Sequence, residues 1–172
     1  KSKELIELAH SKGISIECEV GGIGGEEDGV VSAGEVASPA ECAEIAGLGV
    51  DFLAAGIGNI HGKYPADWAG LNFDVLEEIQ NVTDGKPLVL HGGSGIPQEM
   101  VKKAITLGVS KVNVNTECQL VFADATKKYI EDGGIDKPKG YDPRKLLKPG
   151  ADAIQALVED YVVNFFGSAD KA

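Results

Sequence analysis

At 172 residues, 43% hydrophobic and with a formal net charge of −11, the chain has ample material for one core and does not read as a disordered tail. The acidic balance and the absence of a Lys/Arg stripe exclude a nucleic-acid surface, so an anionic ligand must be held locally by backbone amides and a few placed cations. No run approaches the roughly eighteen apolar residues of a membrane span and "KSKELIELAH" has no signal-peptide core, so a cytoplasmic location without membrane contact is the expectation.

The chain opens on a helical pattern, "SKELIELAH", without an N-cap, as if inside an element. "GISIECEV" (13–20) is the first strand-like run, and Cys18 within it, like Cys42 and Cys118, belongs to no C-x-x-C pair and reads as a small buried hydrophobe. "GGIGGEEDGV" (21–30) reads as a glycine-rich loop ending in acids, suited to a lid that carries a general base over substrate, or to a solvated turn. Three helix patterns follow, "SPAECAEIAGLG", "NFDVLEEIQNVTDG" and "PQEMVKKAITLG", each with Ser, Asn or Pro at entry and Gly at exit. They alternate with strand runs "VDFLAAGIG" (50–58), "KPLVLHG" (86–92) and "SKVNVNT" (110–116). A last helix over about 143–166 carries Ile154, Leu157, Val158, Tyr161, Val162 and Phe165 on one packing face.

This alternation predicts parallel β/α units in one domain over 1–172. Strand parity puts Ser15, Glu17 and Glu19 on one face, and Asn113 and Asn115 on the face opposite Val112 and Val114. Polar groups recur on the face turned from the helices, which fits a (β/α)8 barrel better than a doubly wound sheet covered on both faces. Four strands are half of a barrel, so the reading is the C-terminal half of one plus a C-terminal helix, with the amino-terminal part supplied elsewhere.

His61 and His91 end successive strand runs, and imidazoles at neighbouring strand exits can converge. Two such rings are a start on a divalent-metal site with Glu17 or Glu19 adding an oxygen, or else two ordinary hydrogen-bonded histidines; spacing leaves both open. His10 reads as a surface residue. Gly62, and Gly92-Gly93-Ser94, leave backbone amides accessible to phosphate, and Asn113, Asn115 and Thr116 add donors at the next exit.

Together "ECEVGGIGGEEDGV", "GNIHGKYP", "LVLHGGSG", "KVNVNTE" and "YDPRK" resemble, in order and spacing, the class II zinc-dependent fructose-bisphosphate aldolases. The resemblance implies reversible cleavage of fructose 1,6-bisphosphate into dihydroxyacetone phosphate and glyceraldehyde 3-phosphate. It implies His61 and His91 as two zinc ligands, Glu19 near the metal, Glu27 as the base, and Asn113 steadying the oxyanion. Gly62, Gly92, Gly93, Ser94, Asn113, Val114, Asn115 and Thr116 would hold the triose phosphate, and Arg144 would reach the other phosphate across a homodimer interface. A monovalent cation near the phosphate loops is a further expectation. The family's His-x-Asp-His segment, source of the third zinc histidine, is not in these residues, so the chain alone is not expected to be a competent aldolase. Two alternatives stand: a tagatose-1,6-bisphosphate aldolase, and a non-catalytic half-barrel that binds phosphosugar or assembles with a partner.

Overall fold

The structure is a computed structural model that describes residues 1–27, 30–32 and 34–171; the side chains of residues 27 and 30–32 lie outside the description. The chain forms two compact units, Lys1–Val114 and Asn115–Ala172.

The first unit is built on four parallel strands, β1 (Glu17–Val20), β4 (Phe52–Ala55), β6 (Leu88–Leu90) and β7 (Val109–Val112), adjacent in that order. Between them run α2 (Pro39–Gly47), α3 (Phe73–Val82) and α4 (Gln98–Thr106), after an opening helix α1 (Ser2–His10). The helix starts follow the side chains: the Ser38 hydroxyl accepts from the Glu41 amide, and the Asn72 carbonyl oxygen accepts from the Val75 amide, each satisfying a first-turn N–H. Direct register pairs Leu53 with Leu88 and Leu88 with Val109, and these three are buried to 3% exposure or less. With Leu90, also buried, they form the apolar face. Leu76, Ile79, Val101 and Ala104 of α3 and α4 are likewise at most 1% exposed, as a sheet face covered by helices requires.

The opposite face carries Glu17, Glu19, Phe52, Ala54, Val89 and Lys111, in register across the sheet. Lys111 belongs there because of a bulge. Leu88 pairs with Val109 but Val89 pairs with Lys111, so Ser110 is an extra residue that turns the following side chains over.

A second sheet, absent from the sequence reading, joins β2 (Gly24–Glu27), β3 (Val30–Ser32) and β5 (Ile60–His61) in the order β3-β2-β5. The glycine-rich segment expected as a loop is therefore largely an antiparallel pair, with Glu26 opposite Val31, while Asp28 and Gly29 lie outside the described residues. Its glycines are steric necessities: a Cβ on Gly25, whose φ is +95°, would sit 2.0 Å from the His61 carbonyl oxygen.

The second unit contains α5 (Thr116–Glu131), a 3-10 turn (Gly134–Asp136), α6 (Pro143–Leu146), α7 (Lys148–Asp160) and a π-helical turn (Tyr161–Phe165). The helix expected over about 143–166 is interrupted at Leu147, with Pro149 in the first turn of α7, where its missing N–H does no harm. Tyr161 is buried and stacks on Phe165 with ring centres 4.4 Å apart, and its hydroxyl donates to Glu117. Val158 and Val162, expected on the packing face, are 47% and 39% exposed. Among the described residues no helix is long and apolar enough to cross a membrane.

Candidate active site

β6 delivers His91 directly, since Leu88, Val89 and Leu90 are buried and the chain leaves the sheet at His91. His61 arrives differently. β4 ends at Ala55, and the chain turns through Gly58 (φ +92°) before β5 pairs with β2 and carries His61 at its end. The two rings nonetheless meet edge to face, with centroids 5.7 Å apart and planes at 62°. Two imidazoles on one tetrahedral zinc, with Zn–N near 2.0–2.1 Å, hold their ring centres about 5 Å apart, so the separation is close to what a shared ion needs.

The His91 ring is held by a carboxylate. Glu17 Oε1 lies 2.8 Å from His91 Nε2, and Glu17 Oε2 lies 2.7 Å from Lys111 Nζ. Burial raises the Glu17 carboxyl, but the hydrogen bonds from Lys111 and His91 outweigh it and the net shift is downward, so the group is an anion. An anionic acceptor at Nε2 requires Nε2–H, which assigns the remaining lone pair of the neutral ring to Nδ1. The Asn113 side-chain nitrogen lies 3.4 Å from Nδ1 and 3.5 Å from Nε2. At such long and near-equal distances it is centred on neither lone pair, and Nδ1 stays usable as a ligand.

Glu17, not Glu19, meets His91 and Lys111. In direct register Glu19 is level with Lys111, through Ala54 and Val89. An eight-stranded barrel staggers by about one residue per strand, and over three strand steps that shifts the level away from Glu19 in the direction of Glu17, the nearest residue on the same face. Glu19 is exposed on the same face.

His10 is accounted for elsewhere: its Nε2 is 2.9 Å from Asp51 Oδ2, just before β4 begins and thus at the opposite end of the sheet from His91. A cavity of about 400 Å3, lined by Thr83, Asp84, Gly85, Lys86 and Pro87, lies at that same far end, away from the histidines.

The phosphate-type residues differ in their surroundings. Gly92 (φ +64°) must be glycine, because a Cβ there would sit 1.9 Å from the Ile60 carbonyl oxygen. The Gly93 amide already donates to the Asn113 carbonyl at 2.8 Å, so its N–H is engaged within the fold. Ser94 is buried at 5% exposure, and a Cβ at Gly62 (φ +85°) would meet the Glu26 backbone only at ordinary contact distance. Val114 is half-buried beyond the end of β7.

In the second unit, Asn115 and Thr116 are the N-cap and first residue of α5. Arg144 is 88% exposed and forks onto Asp142, Nε to Oδ1 at 3.0 Å and Nη2 to Oδ2 at 2.7 Å, while Asp142 also caps α6. The expected base, Glu27, has its backbone in β2, but its side chain lies outside the described residues. Among the described residues no three His, Cys, Asp or Glu groups form a complete metal cluster; two imidazoles are present and a third donor is not.

Three residues with a part in this arrangement escaped the sequence reading. They are Lys111, Asn59 and Tyr64. The parity that places Asn113 inward also places Lys111 inward, but only the bulge at Ser110 makes that position reach Glu17.

Comparison with known proteins bears on the whole chain. A family model described as fructose-bisphosphate aldolase class-II matches residues 1–171. Curated fructose-bisphosphate aldolases from Streptococcus pneumoniae and Mycoplasma genitalium are 54% and 56% identical over 99% and 100% of this chain. The chain spans 60% of the length of each of these relatives. A crystal structure of a Coccidioides immitis protein described as a candidate fructose-1,6-biphosphate aldolase superposes with a TM-score of 0.81 at 30% identity, over 99% of this chain and 58% of that one. The fold is thus α/β, about half of a (β/α)8 barrel. By sequence and by fold, the chain belongs to the class-II fructose-bisphosphate aldolase family.

Proposed function

We propose that this chain carries one side of the catalytic mouth of a metal-dependent lyase that cleaves fructose 1,6-bisphosphate to dihydroxyacetone phosphate and glyceraldehyde 3-phosphate and runs the reverse condensation. The observation that carries the reading is the approach of the His61 and His91 rings to 5.7 Å, with a carboxylate on Nε2 of His91. A carboxylate behind a ligating imidazole is the usual device for fixing its tautomer and raising its basicity.

His61 and His91 would hold the ion, with a third donor from outside the described residues and Glu19 nearby; zinc suits imidazole nitrogen. When bound, the metal supplies a Lewis acid that polarises the ketone of the substrate. Around it, Asn113 donates its amide hydrogens to the oxygen on which charge develops. Glu27, whose backbone is in β2, would move the proton on the carbon next to the carbonyl carbon, as a carboxylate general base. Gly62, Gly92, Gly93, Ser94, Asn113, Val114, Asn115 and Thr116 hold the triose phosphate, with a monovalent cation offsetting its charge. Arg144, a planar bidentate donor, takes the second phosphate, from a partner subunit in a homodimer. The reaction belongs to glycolysis and gluconeogenesis in the cytoplasm.

A coupled assay on the full-length gene product tests this. Turnover of fructose 1,6-bisphosphate is expected to vanish on chelation, return with Zn2+, and exceed turnover of tagatose 1,6-bisphosphate. Chelator-resistant turnover would overturn the metal mechanism, and triose phosphate binding without turnover would favour a non-catalytic module.

A further inference from the structure

Resting on that reading, we propose that Asn59 and Tyr64 form a clasp between the two histidine-bearing segments and act as positioning residues that set the spacing of His61 and His91. The Tyr64 hydroxyl accepts from the Ile60 amide at 3.0 Å and donates to the Gly92 carbonyl at 2.9 Å. Those are the residues immediately before His61 and immediately after His91. One phenol oxygen therefore ties the two segments by their backbones. Asn59 repeats the device from the other side: its side-chain oxygen accepts from the Ile57 amide at 2.9 Å, and its nitrogen donates to the His91 carbonyl at 3.0 Å.

The geometry around the clasp is tight. Asn59 is 2% exposed, and the Gly92 backbone approaches Ile60 so closely that no side chain fits. The Tyr64 ring stands against Trp68 with centroids 4.2 Å apart, and Trp68 Nε1 donates to the Gly58 carbonyl at 2.7 Å. Burial pushes the Tyr64 hydroxyl up to about 12, so it remains a donor through the ordinary pH range.

His61 and His91 belong to different sheets, β5 in one and the exit of β6 in the other. Among the described residues no strand of one sheet pairs with a strand of the other, so neither ladder fixes one ring relative to the other. Asn59 and Tyr64 supply that constraint, and a tetrahedral ion tolerates little error in ligand spacing.

The test uses the full-length gene product loaded with Co2+, whose visible absorption reports ligand geometry. Tyr64→Phe removes one hydroxyl and keeps the ring. Thr83→Val removes a buried hydroxyl that donates to the Ile79 carbonyl at 2.8 Å, at the far end of the fold, and serves as the matched structural control. The expected result is Co2+ binding weakened about 10- to 100-fold in Tyr64→Phe with an altered absorption band, and wild-type affinity and band in Thr83→Val. Melting of the two metal-free variants verifies that they are comparably folded. Wild-type affinity and band in Tyr64→Phe would overturn the clasp, as would equal weakening in Thr83→Val. If the wild-type protein itself takes up no Co2+, the metal reading fails first and the clasp with it.

Discussion

Glu17 and Lys111 form an ion pair of 2.7 Å although they stand on β1 and β7, the two outer strands of the four-stranded sheet. A flat sheet with strands 4.8 Å apart would hold those strands about 14 Å from each other. Curl, stagger and the bulge at Ser110 bring the side chains together, so the pair is a product of barrel geometry within a single chain. Because Glu17 also accepts from His91, the same pair reaches the candidate metal ligand.

Glu17→Gln keeps the shape of the side chain but replaces the anion that raises the basicity of His91. Metal affinity is expected to fall about 10- to 100-fold, and Lys111→Met, which leaves Glu17 facing His91, is expected to produce a smaller loss. Competition with a chromophoric chelator measures both, and unchanged affinity in Glu17→Gln would remove this carboxylate from the account.

Gly25→Ala and Gly13→Ala separate steric need from turn preference. Both positions have positive φ, but a Cβ at Gly13 meets nothing within 4 Å, whereas at Gly25 it would overlap the His61 carbonyl. Gly13→Ala should cost about 1–2 kcal/mol and Gly25→Ala distinctly more, with loss of metal binding as β5 is displaced. Urea unfolding of the two variants decides this, and equal destabilisation would contradict the close approach.

These glycines also explain what the sequence hid. The strands β1, β4, β6 and β7 and the capped helices α2 and α3 were legible because apolar runs and the cap residues Ser38 and Asn72 express burial and hydrogen bonding locally. The β2–β3–β5 sheet was not, since Gly24 and Gly25 carry no strand propensity and Gly25 is there for backbone approach to His61. Helix α5 was missed because it has no fully buried residue and hence no clear apolar stripe. The histidine pair was legible from its His-Gly exits. Its bracing by Glu17, Lys111, Asn59 and Tyr64 depends on register, stagger and loop path, which one-dimensional spacing does not encode.

Asp51 gives a pH signature at the other end of the sheet. Its carboxyl is held below the ordinary range, first by the hydrogen bond from His10 and then by the Ile16 amide, with Lys86 adding a smaller attraction. A depressed folded-state pKa stabilises the fold above the unfolded value, near 3.9, and that contribution is lost as pH falls from there through the folded value. The Asp51→Asn variant should therefore melt below the wild type at neutral pH and converge with it under acid. Parallel curves across that window would count against this linkage.

Among the described residues Arg144, itself exposed, pairs only with Asp142 two residues away, so Arg144→Lys should leave the melting temperature unchanged. If the guanidinium takes a substrate phosphate, the same variant should raise KM for fructose 1,6-bisphosphate much more than it lowers kcat. An unaltered KM would show that Arg144 serves only its local turn.

The most direct test of the central claim is anomalous diffraction at the zinc absorption edge from crystals of the full-length gene product. The account predicts one peak within about 2.0–2.1 Å of a nitrogen of His61 and of Nδ1 of His91, with Nε2 of His91 still on Glu17. A zinc ion held by only one of these rings, or bound through Nε2 of His91, would contradict it.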